Sequence, residues 1–157
     1  MNILALDPAT KCGWACPEAS GVWDLSVRRD ESSGMRLLRL RSKLNAILSA
    51  YPKIDLVVFE AARHAAPKMQ GALTVHAELI SVIKVWCLDS GLEYRGFSPS
   101  EIKKFATGKG IAKKPAMIAA AKAAFPSVTI LDDNHADALM LYRLAESLYS
   151  KDADKPF

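Results

Sequence analysis

The sequence predicts a single mixed α/β domain in which helices flank one sheet. Two observations carry this prediction: strand-like segments are grouped at the start of the chain, and apolar strands then alternate with helices to its end. The 157 residues, 50% of them hydrophobic, suit one compact domain and leave no room for two large ones. We expect residues 1–150 to form this domain and residues 151–157 to form a flexible tail.

Five short segments have the composition of strands, namely residues 2–7, 12–16, 21–27, 54–60 and 92–97. The first is apolar and ends before Pro8, which cannot continue a central sheet ladder. Turn residues separate the second segment from the third, so an antiparallel meander is the simplest arrangement for them. The last two segments each follow a helix and complete the predicted sheet.

Five segments are predicted helices, namely residues 33–51, 73–88, 98–106, 115–125 and 133–149. Leu37, Leu40 and Leu44 give the first helix an apolar stripe at helical spacing. The second is apolar almost all round, so it needs cover from its own sheet and from a second subunit. Asp132 or Asp133 is placed to cap the last helix.

No stretch of the sequence predicts a membrane span. The apolar run at residues 79–88 is interrupted by Ser81 and Lys84 and falls short of the roughly 18 residues that a span needs. The chain opens on a strand rather than on a secretory signal, so a cytoplasmic location is expected. Three cysteines, an odd number, favour reduced thiols over disulfides.

Basic residues are concentrated in one part of the chain. Between Arg95 and Lys122, seven lysines and arginines stand against the single acid Glu101, although the whole chain carries a formal charge of only +4. Phosphate neutralisation by such residues supplies most of the sequence-independent affinity of proteins for nucleic acids. The stretch therefore indicates either a polyanion-binding face or an ordinary solvated helix surface.

Acidic residues end two apolar strands and begin the last helix. Asp7 and Glu60 follow the two most apolar strand runs, so they meet at one sheet edge if those strands are parallel neighbours. Asp133, Asn134 and Asp137 share one face of the last helix. Such oxygen ligands suit Mg²⁺ or Mn²⁺, and two ions together support phosphodiester hydrolysis. Each acid taken alone also suits an ordinary turn, strand end or helix cap.

Four blocks of sequence, in this order along nearly the whole chain, resemble the RuvC family of Holliday junction resolvases, a branch of the RNase H-like nuclease superfamily. The blocks are Ile3-Leu4-Ala5-Leu6-Asp7-Pro8-Ala9-Thr10, Val57-Val58-Phe59-Glu60, Ile102-Lys103-Lys104 with Thr107-Gly108-Lys109-Gly110-Ile111-Ala112-Lys113-Lys114, and His135-Ala136-Asp137-Ala138-Leu139. They resemble the family's catalytic aspartate strand, its glutamate strand, its lysine and Gly-x-Gly segment, and its C-terminal Ala-Asp-Ala-Leu signature. The resemblance implies an RNase H-like mixed five-stranded sheet flanked by helices.

The resemblance also implies a function. It is that of a homodimeric, Mg²⁺-dependent endonuclease that nicks opposing strands of a four-way DNA junction symmetrically. The resemblance implies two ions at the site, with Mn²⁺ as a substitute for Mg²⁺. Asp7, Glu60 and Asp137 match the family's metal ligands. The helix from Leu73 to Trp86 matches the element through which the family forms its dimer.

The family's functional lysines match two positions of the basic stretch. Lys103 and Lys114 correspond to lysines that contact the scissile phosphate or the adjacent DNA backbone, with Lys104 and Lys113 as the alternatives in register. Lys109, inside the Gly-x-Gly segment, is also expected to contact DNA.

One departure from the family pattern concerns the fourth metal ligand. The family carries a second acid, or a histidine, three residues before its final aspartate, and this chain has Asn134 there. Asp133 is the expected substitute because it stays on the same helical face. Asn134 itself, Asp132 and His135 remain alternatives.

A second departure lies in the loop after Glu60, where the family has an aromatic residue near the junction centre. Residues 61–66 contain no Phe or Tyr. Arg63 and His64 are the residues expected to stack on, or pair with, the opened DNA.

Two other functions stay open on the sequence. A nuclease that cuts forks, flaps or RNA–DNA hybrids would use a similar metal site. A non-catalytic junction-binding protein would result if Asn134 has removed the chemistry. His76 is expected to pack within the apolar helix or at the dimer surface, and not to be a ligand.

Overall fold

Five strands form one mixed sheet in the order β3-β2-β1-β4-β5, with helices on both faces. The computed structural model describes residues 1–61 and 70–150, so the predicted tail, residues 151–157, lies outside the described residues. The strands are β1 (Ile3–Asp7), β2 (Lys11–Ala15), β3 (Ser20–Asp24), β4 (Leu56–Glu60) and β5 (Glu93–Phe97). The helices are α1 (Gly34–Ala50), α2 (Gln70–Asp89), α3 (Pro99–Thr107), α4 (Lys114–Ala124) and α5 (Asp133–Tyr149). Every predicted element is present, with ends shifted by three residues at most.

β1 lies at the centre of the sheet. β2 runs antiparallel to it and β3 antiparallel to β2, which confirms the predicted meander. β4 runs parallel to β1, with Leu6 opposite Phe59, and β5 runs parallel to β4. The carboxyl ends of β1 and β4 therefore meet at one sheet edge, and Asp7 lies beside Glu60 as the sequence predicted.

Two apolar layers cover the sheet, because side chains alternate between its faces along each strand. Leu4 and Leu6 of β1 belong to the layer that contains α1 and α2. Ile3 and Ala5 of the same strand belong to the layer that contains α3, α4 and α5. The sheet edge that carries the acids is thus approached by helices from both layers.

α2 buries one face and exposes the other. Its buried residues are Leu79, Ile80, Ile83, Trp86 and Cys87. Its outward face mixes the charged Glu78 and Lys84 with the exposed Val85 and Leu88. The helix is therefore amphipathic, whereas the sequence predicted one that is apolar almost all round. Among the described helices it is the one long and apolar enough to cross a membrane, but its buried face belongs to the core of the sheet.

α3 is capped at both ends, which sets the direction of the basic loop after it. Ser98 Oγ accepts a hydrogen bond from the backbone N–H of Glu101 (3.2 Å), and the Glu101 carboxylate accepts one from the N–H of Ser98 (2.8 Å). At the other end Gly108 has a φ of 78°, a left-handed conformation that glycine adopts without steric cost. The chain therefore turns sharply between α3 and the lysines that precede α4.

The first turn of α5 lies directly against β2. Asp132 caps the helix, because its Oδ1 accepts a hydrogen bond from the backbone N–H of His135 (2.8 Å). Gly13 of β2 makes the close approach possible. A Cβ atom at Gly13 would lie 2.0 Å from the carbonyl oxygen of Asn134, far inside van der Waals contact.

Gly13→Ala is expected to lower the free energy of unfolding by about 1–3 kcal/mol, because the added Cβ overlaps the backbone of Asn134 and α5 must shift. Gly71→Ala in α2 is the matched control, since a Cβ there meets nothing within 4 Å and alanine favours a helix. Urea unfolding followed by circular dichroism measures both changes. Equal midpoints for wild type and Gly13→Ala would contradict the close approach.

Candidate functional site

A cleft of about 1150 Å³ opens between the carboxyl edge of the sheet and the N-terminal ends of α4 and α5. Its polar lining includes Asp7, His76, Lys103, Lys113, Lys114, Asp133, Asn134 and Asp137. The structure thus brings together residues that are far apart in sequence, three of the four predicted acids and three of the predicted lysines among them.

Asp7 and Glu60 are buried carboxylates at the ends of neighbouring parallel strands. Asp7 is 5% exposed and lines the cleft, whereas Glu60 is 3% exposed and is not part of the lining. Burying a charged group is costly unless other groups or a metal ion compensate it. Two such groups side by side at a cleft are therefore candidates for a functional role.

α5 brings two more acids to the same cleft. Asp133 is its first residue, and Asp137, which is half-buried, follows one turn later on the same face. Gly13 pairs with Asp7 across β1 and β2 and also contacts the backbone of Asn134. The first turn of α5 is for this reason held next to the end of β1.

Asp133 and Lys114 form an ion pair across the mouth of the cleft. Lys114 Nζ lies 2.8 Å from Asp133 Oδ2, and the exposed fractions of the two side chains are 77% and 27%. An exposed pair of this kind contributes little to stability and exchanges partners at low cost. The two residues that the sequence assigned to metal and phosphate are thus paired with each other here.

The other predicted lysines divide into two groups. Lys103 is half-buried and lines the cleft, and Lys113 lines it as the residue that precedes α4. Lys104 and Lys109 are exposed and lie outside the lining. In the first pair of register alternatives, Lys103 and not Lys104 therefore lines the cleft. In the second pair, both Lys113 and Lys114 line it.

Asp132 and His135, two alternatives for the fourth metal ligand, make hydrogen bonds within the fold. Asp132 caps α5. The His135 ring is buried, and its Nδ1 accepts a hydrogen bond from the N–H of Leu131 (3.2 Å), so Nε2 carries the hydrogen and donates it to Ser20 Oγ (2.9 Å). Burial lowers the pKa of His135, an effect partly offset by the charge of Asp132, which agrees with a neutral ring.

Arg63 and His64, the residues expected at the junction centre, lie outside the described part of the chain. His76 belongs to α2, as predicted, and it also lines the cleft, a position that was not predicted for it. Its ring lies between the backbone carbonyls of Pro8 (2.6 Å from Nδ1) and Ala61 (3.3 Å from Nε2). The signal available in the sequence was a single imidazole at helical spacing from the buried face of an apolar helix.

The donor set fits a hard divalent cation. Among residues 1–61 and 70–150, no three His, Cys, Asp or Glu side chains are grouped closely enough to enclose an ion by themselves. Mg²⁺, however, is usually held by one or two carboxylates, with water and substrate phosphates in the remaining positions. Asp7 and Asp137 offer this chemistry in the lining of an open cleft that lysines also line, and the buried Glu60 lies beside Asp7.

Comparison with known proteins identifies relatives of the chain. No protein-family model matches it. The crossover junction endodeoxyribonuclease RuvC of Rhodospirillum rubrum is 28% identical in an alignment of 156 residues. The alignment covers 90% of this chain and 86% of the relative.

Solved structures share the fold. The Thermus thermophilus RuvC structure matches with a TM-score of 0.73 at 16% identity, covering 98% of this chain and 97% of that one. T. thermophilus RuvC in complex with a Holliday junction substrate has the same TM-score at 15% identity, covering 98% and 96%. The fold is therefore that of RuvC, and the resemblance to the RuvC family is confirmed in sequence as well as in architecture.

Proposed function

We propose that the chain is a divalent-metal-dependent endodeoxyribonuclease that resolves four-way DNA junctions by paired symmetric nicks. The observation that carries the proposal is the meeting of Asp7, Asp137 and Lys103 in one cleft, with Glu60 beside Asp7. The similarity to the Rhodospirillum junction endonuclease over 90% of the chain supports it. A cytoplasmic setting, where such DNA occurs, belongs to the same proposal.

The acids would hold Mg²⁺, with Mn²⁺ as a substitute. Asp7, Glu60 and Asp137 supply the carboxylate oxygens, and Asp133 joins them when it leaves Lys114. The chemistry that two bound ions supply is activation of a water and stabilisation of the leaving oxygen. The rigid strands β1 and β4 hold Asp7 and Glu60 in place before DNA arrives.

The lysines would hold the DNA backbone. Lys103 and Lys114, which line the cleft, would bind the scissile phosphate, and Lys113 at the start of α4 would bind beside it. Lys104 and Lys109, outside the cleft, extend the basic surface along the neighbouring backbone. The positive N-terminal end of α4 adds to the attraction for phosphate.

A homodimer through α2 completes the proposal, because symmetric nicks need two sites related by a two-fold axis. Trp86, included in the expected interface, is instead buried and donates a hydrogen bond to Asn45 Oδ1 of α1 (2.9 Å). The outward residues Val85 and Leu88, 56% and 70% exposed, are the apolar part of α2 available to a second copy.

Asp7→Asn is expected to reduce Mg²⁺-dependent cleavage of a labelled four-way junction to below about one hundredth of wild type. Loss of a ligand costs more than the roughly 10–100-fold typical of an outer-shell partner. Binding to the junction in chelator should be retained, because lysines and not this carboxylate neutralise phosphate. The assay compares four-way junction, fork, flap and RNA–DNA hybrid substrates with Mg²⁺, Mn²⁺ or chelator.

Each outcome of this assay decides between functions. Paired nicks confined to the junction support a resolvase. Equal cutting of forks, flaps or hybrids would make the protein a broader structure-specific nuclease, and binding without any product would make it a non-catalytic junction protein. Undiminished cleavage by Asp7→Asn would remove the metal role of that residue.

Asp133→Asn is expected to lower junction cleavage by at least about 10-fold, because it removes a carboxylate from the metal site. Asp132→Asn is the matched control: it makes the same change at the adjacent residue, and asparagine caps a helix as well as aspartate does. Single-turnover cleavage rates measure both variants. The reverse order of effects would assign the fourth ligand to Asp132.

Val85→Glu with Leu88→Glu is expected to convert a dimer into a monomer, since two carboxylates would be buried at the apolar part of α2. Light scattering after size-exclusion chromatography measures the mass. On a supercoiled plasmid with an extruded cruciform, the variant should yield nicked circles where wild type yields linear DNA. Leu148→Glu, an equivalent change on the opposite face of the sheet, should leave both readouts unchanged. A dimeric double variant would exclude this interface.

A further inference from the structure

His76 lies where the paired backbones of β1 and β4 separate. The ladder between the two strands ends with Leu6 opposite Phe59, one residue before the acids. Pro8 has no N–H with which to extend it. The N–H of Ala61 donates to the carbonyl of Phe97 on β5 (2.7 Å) and so is directed away from β1.

The imidazole of His76 bridges this gap. Nδ1 lies 2.6 Å from the carbonyl oxygen of Pro8, and Nε2 lies 3.3 Å from that of Ala61. A ring nitrogen approaches a carbonyl at 2.6 Å as a hydrogen-bond donor, so Nδ1 carries a hydrogen. The two carbonyls belong to the residues that directly follow Asp7 and Glu60.

The helix that carries His76 is firmly held. Leu79 and Ile83, which share its helical face, are fully buried in the core layer between α2 and the sheet. The imidazole is therefore held in place by the core, and it contacts the backbone just after the ends of both β1 and β4. The pairing between β1 and β4 ends at Leu6 and Phe59, so backbone pairing of the two strands does not extend to the acids.

We propose that His76 is a positioning residue for the metal site: by contacting the carbonyls of Pro8 and Ala61, it sets the separation and direction of the Asp7 and Glu60 carboxylates. The proposal rests on the proposed metal-dependent function. His76 acts through the backbone of the two residues and does not itself touch DNA or the reacting atoms. Such supporting contacts keep a site in its productive geometry.

Three substitutions separate hydrogen bonding from packing. His76→Leu introduces an apolar side chain of similar size that has no hydrogen-bond donor. His76→Asn places an amide N–H₂ near the position of Nδ1, within reach of Pro8. His76→Gln carries the amide further out, near the position of Nε2 and within reach of Ala61.

Two readouts are needed. Titration calorimetry with Mn²⁺ measures metal affinity on the free protein, and single-turnover cleavage across a range of Mg²⁺ concentrations measures the half-saturating concentration. His76→Leu is expected to raise both the Mn²⁺ dissociation constant and the half-saturating Mg²⁺ concentration by about 10-fold or more. His76→Asn should recover most of the loss because the shorter contact is with Pro8. Urea unfolding of each variant checks that the fold is intact.

The outcomes are distinct. Wild-type metal affinity in His76→Leu would overturn the proposal, and so would equal losses in His76→Leu and His76→Asn, since packing would then explain the effect. Asp7→Asn serves as the reference. If Asp7→Asn and wild type bind Mn²⁺ equally, the metal site itself is absent and the proposal for His76 is overturned with it. If only Asp7→Asn is impaired, the metal site stands and His76 has no part in it.

Discussion

The rest of the site depends on one close contact, the approach of the α5 backbone to β2 at Gly13. Because Gly13 has no side chain, Asn134 lies where a Cβ would be, and the first turn of α5 comes level with the end of β1. Asp137 and Asp7 consequently line one cleft although they are 130 positions apart in the sequence. A larger residue at this point of β2 would move the helix, and with it one side of the site.

The cleft brings acidic and basic side chains close to one another, and its ion pair at the mouth is partly exposed to solvent. Lys114 and Asp133 neutralise each other at the exposed mouth, where an ion pair is weak and a phosphate or a cation can replace either partner. Asp7 and Glu60 are held deeper, on strands whose apolar side chains anchor both layers of the core. The exposed Lys114 and the partly exposed Asp133 thus lie at the mouth of the cleft, and the buried Asp7 and Glu60 lie deeper.

Much of this was available in the sequence, because strand and helix patterns are local. Two apolar runs that each end in an acid suggested that Asp7 and Glu60 meet if β1 and β4 are parallel neighbours, and the two strands do pair in parallel. The pairing of Lys114 with Asp133 was not available, since it depends on how α4 packs against α5. His76 was assigned to packing because its contact with Pro8 joins residues 68 positions apart, which no periodicity reveals. The same limit applied to the fourth ligand, because the hydrogen bonds that occupy Asp132 and His135 appear only in the structure.

α2 joins two parts of the molecule that are otherwise separate. His76 stands near its start beside the acids, and Leu88 stands on its exposed surface near its end. Leu88 lies twelve positions after His76, which corresponds to about 18 Å along the helix. A tilt of about 3° around the Leu88 end therefore displaces the imidazole by about 1 Å, a shift that can cost roughly 100-fold in rate at a preorganised site. A partner that tilted this helix at its exposed end would therefore displace the backbone next to Asp7 and Glu60 through His76.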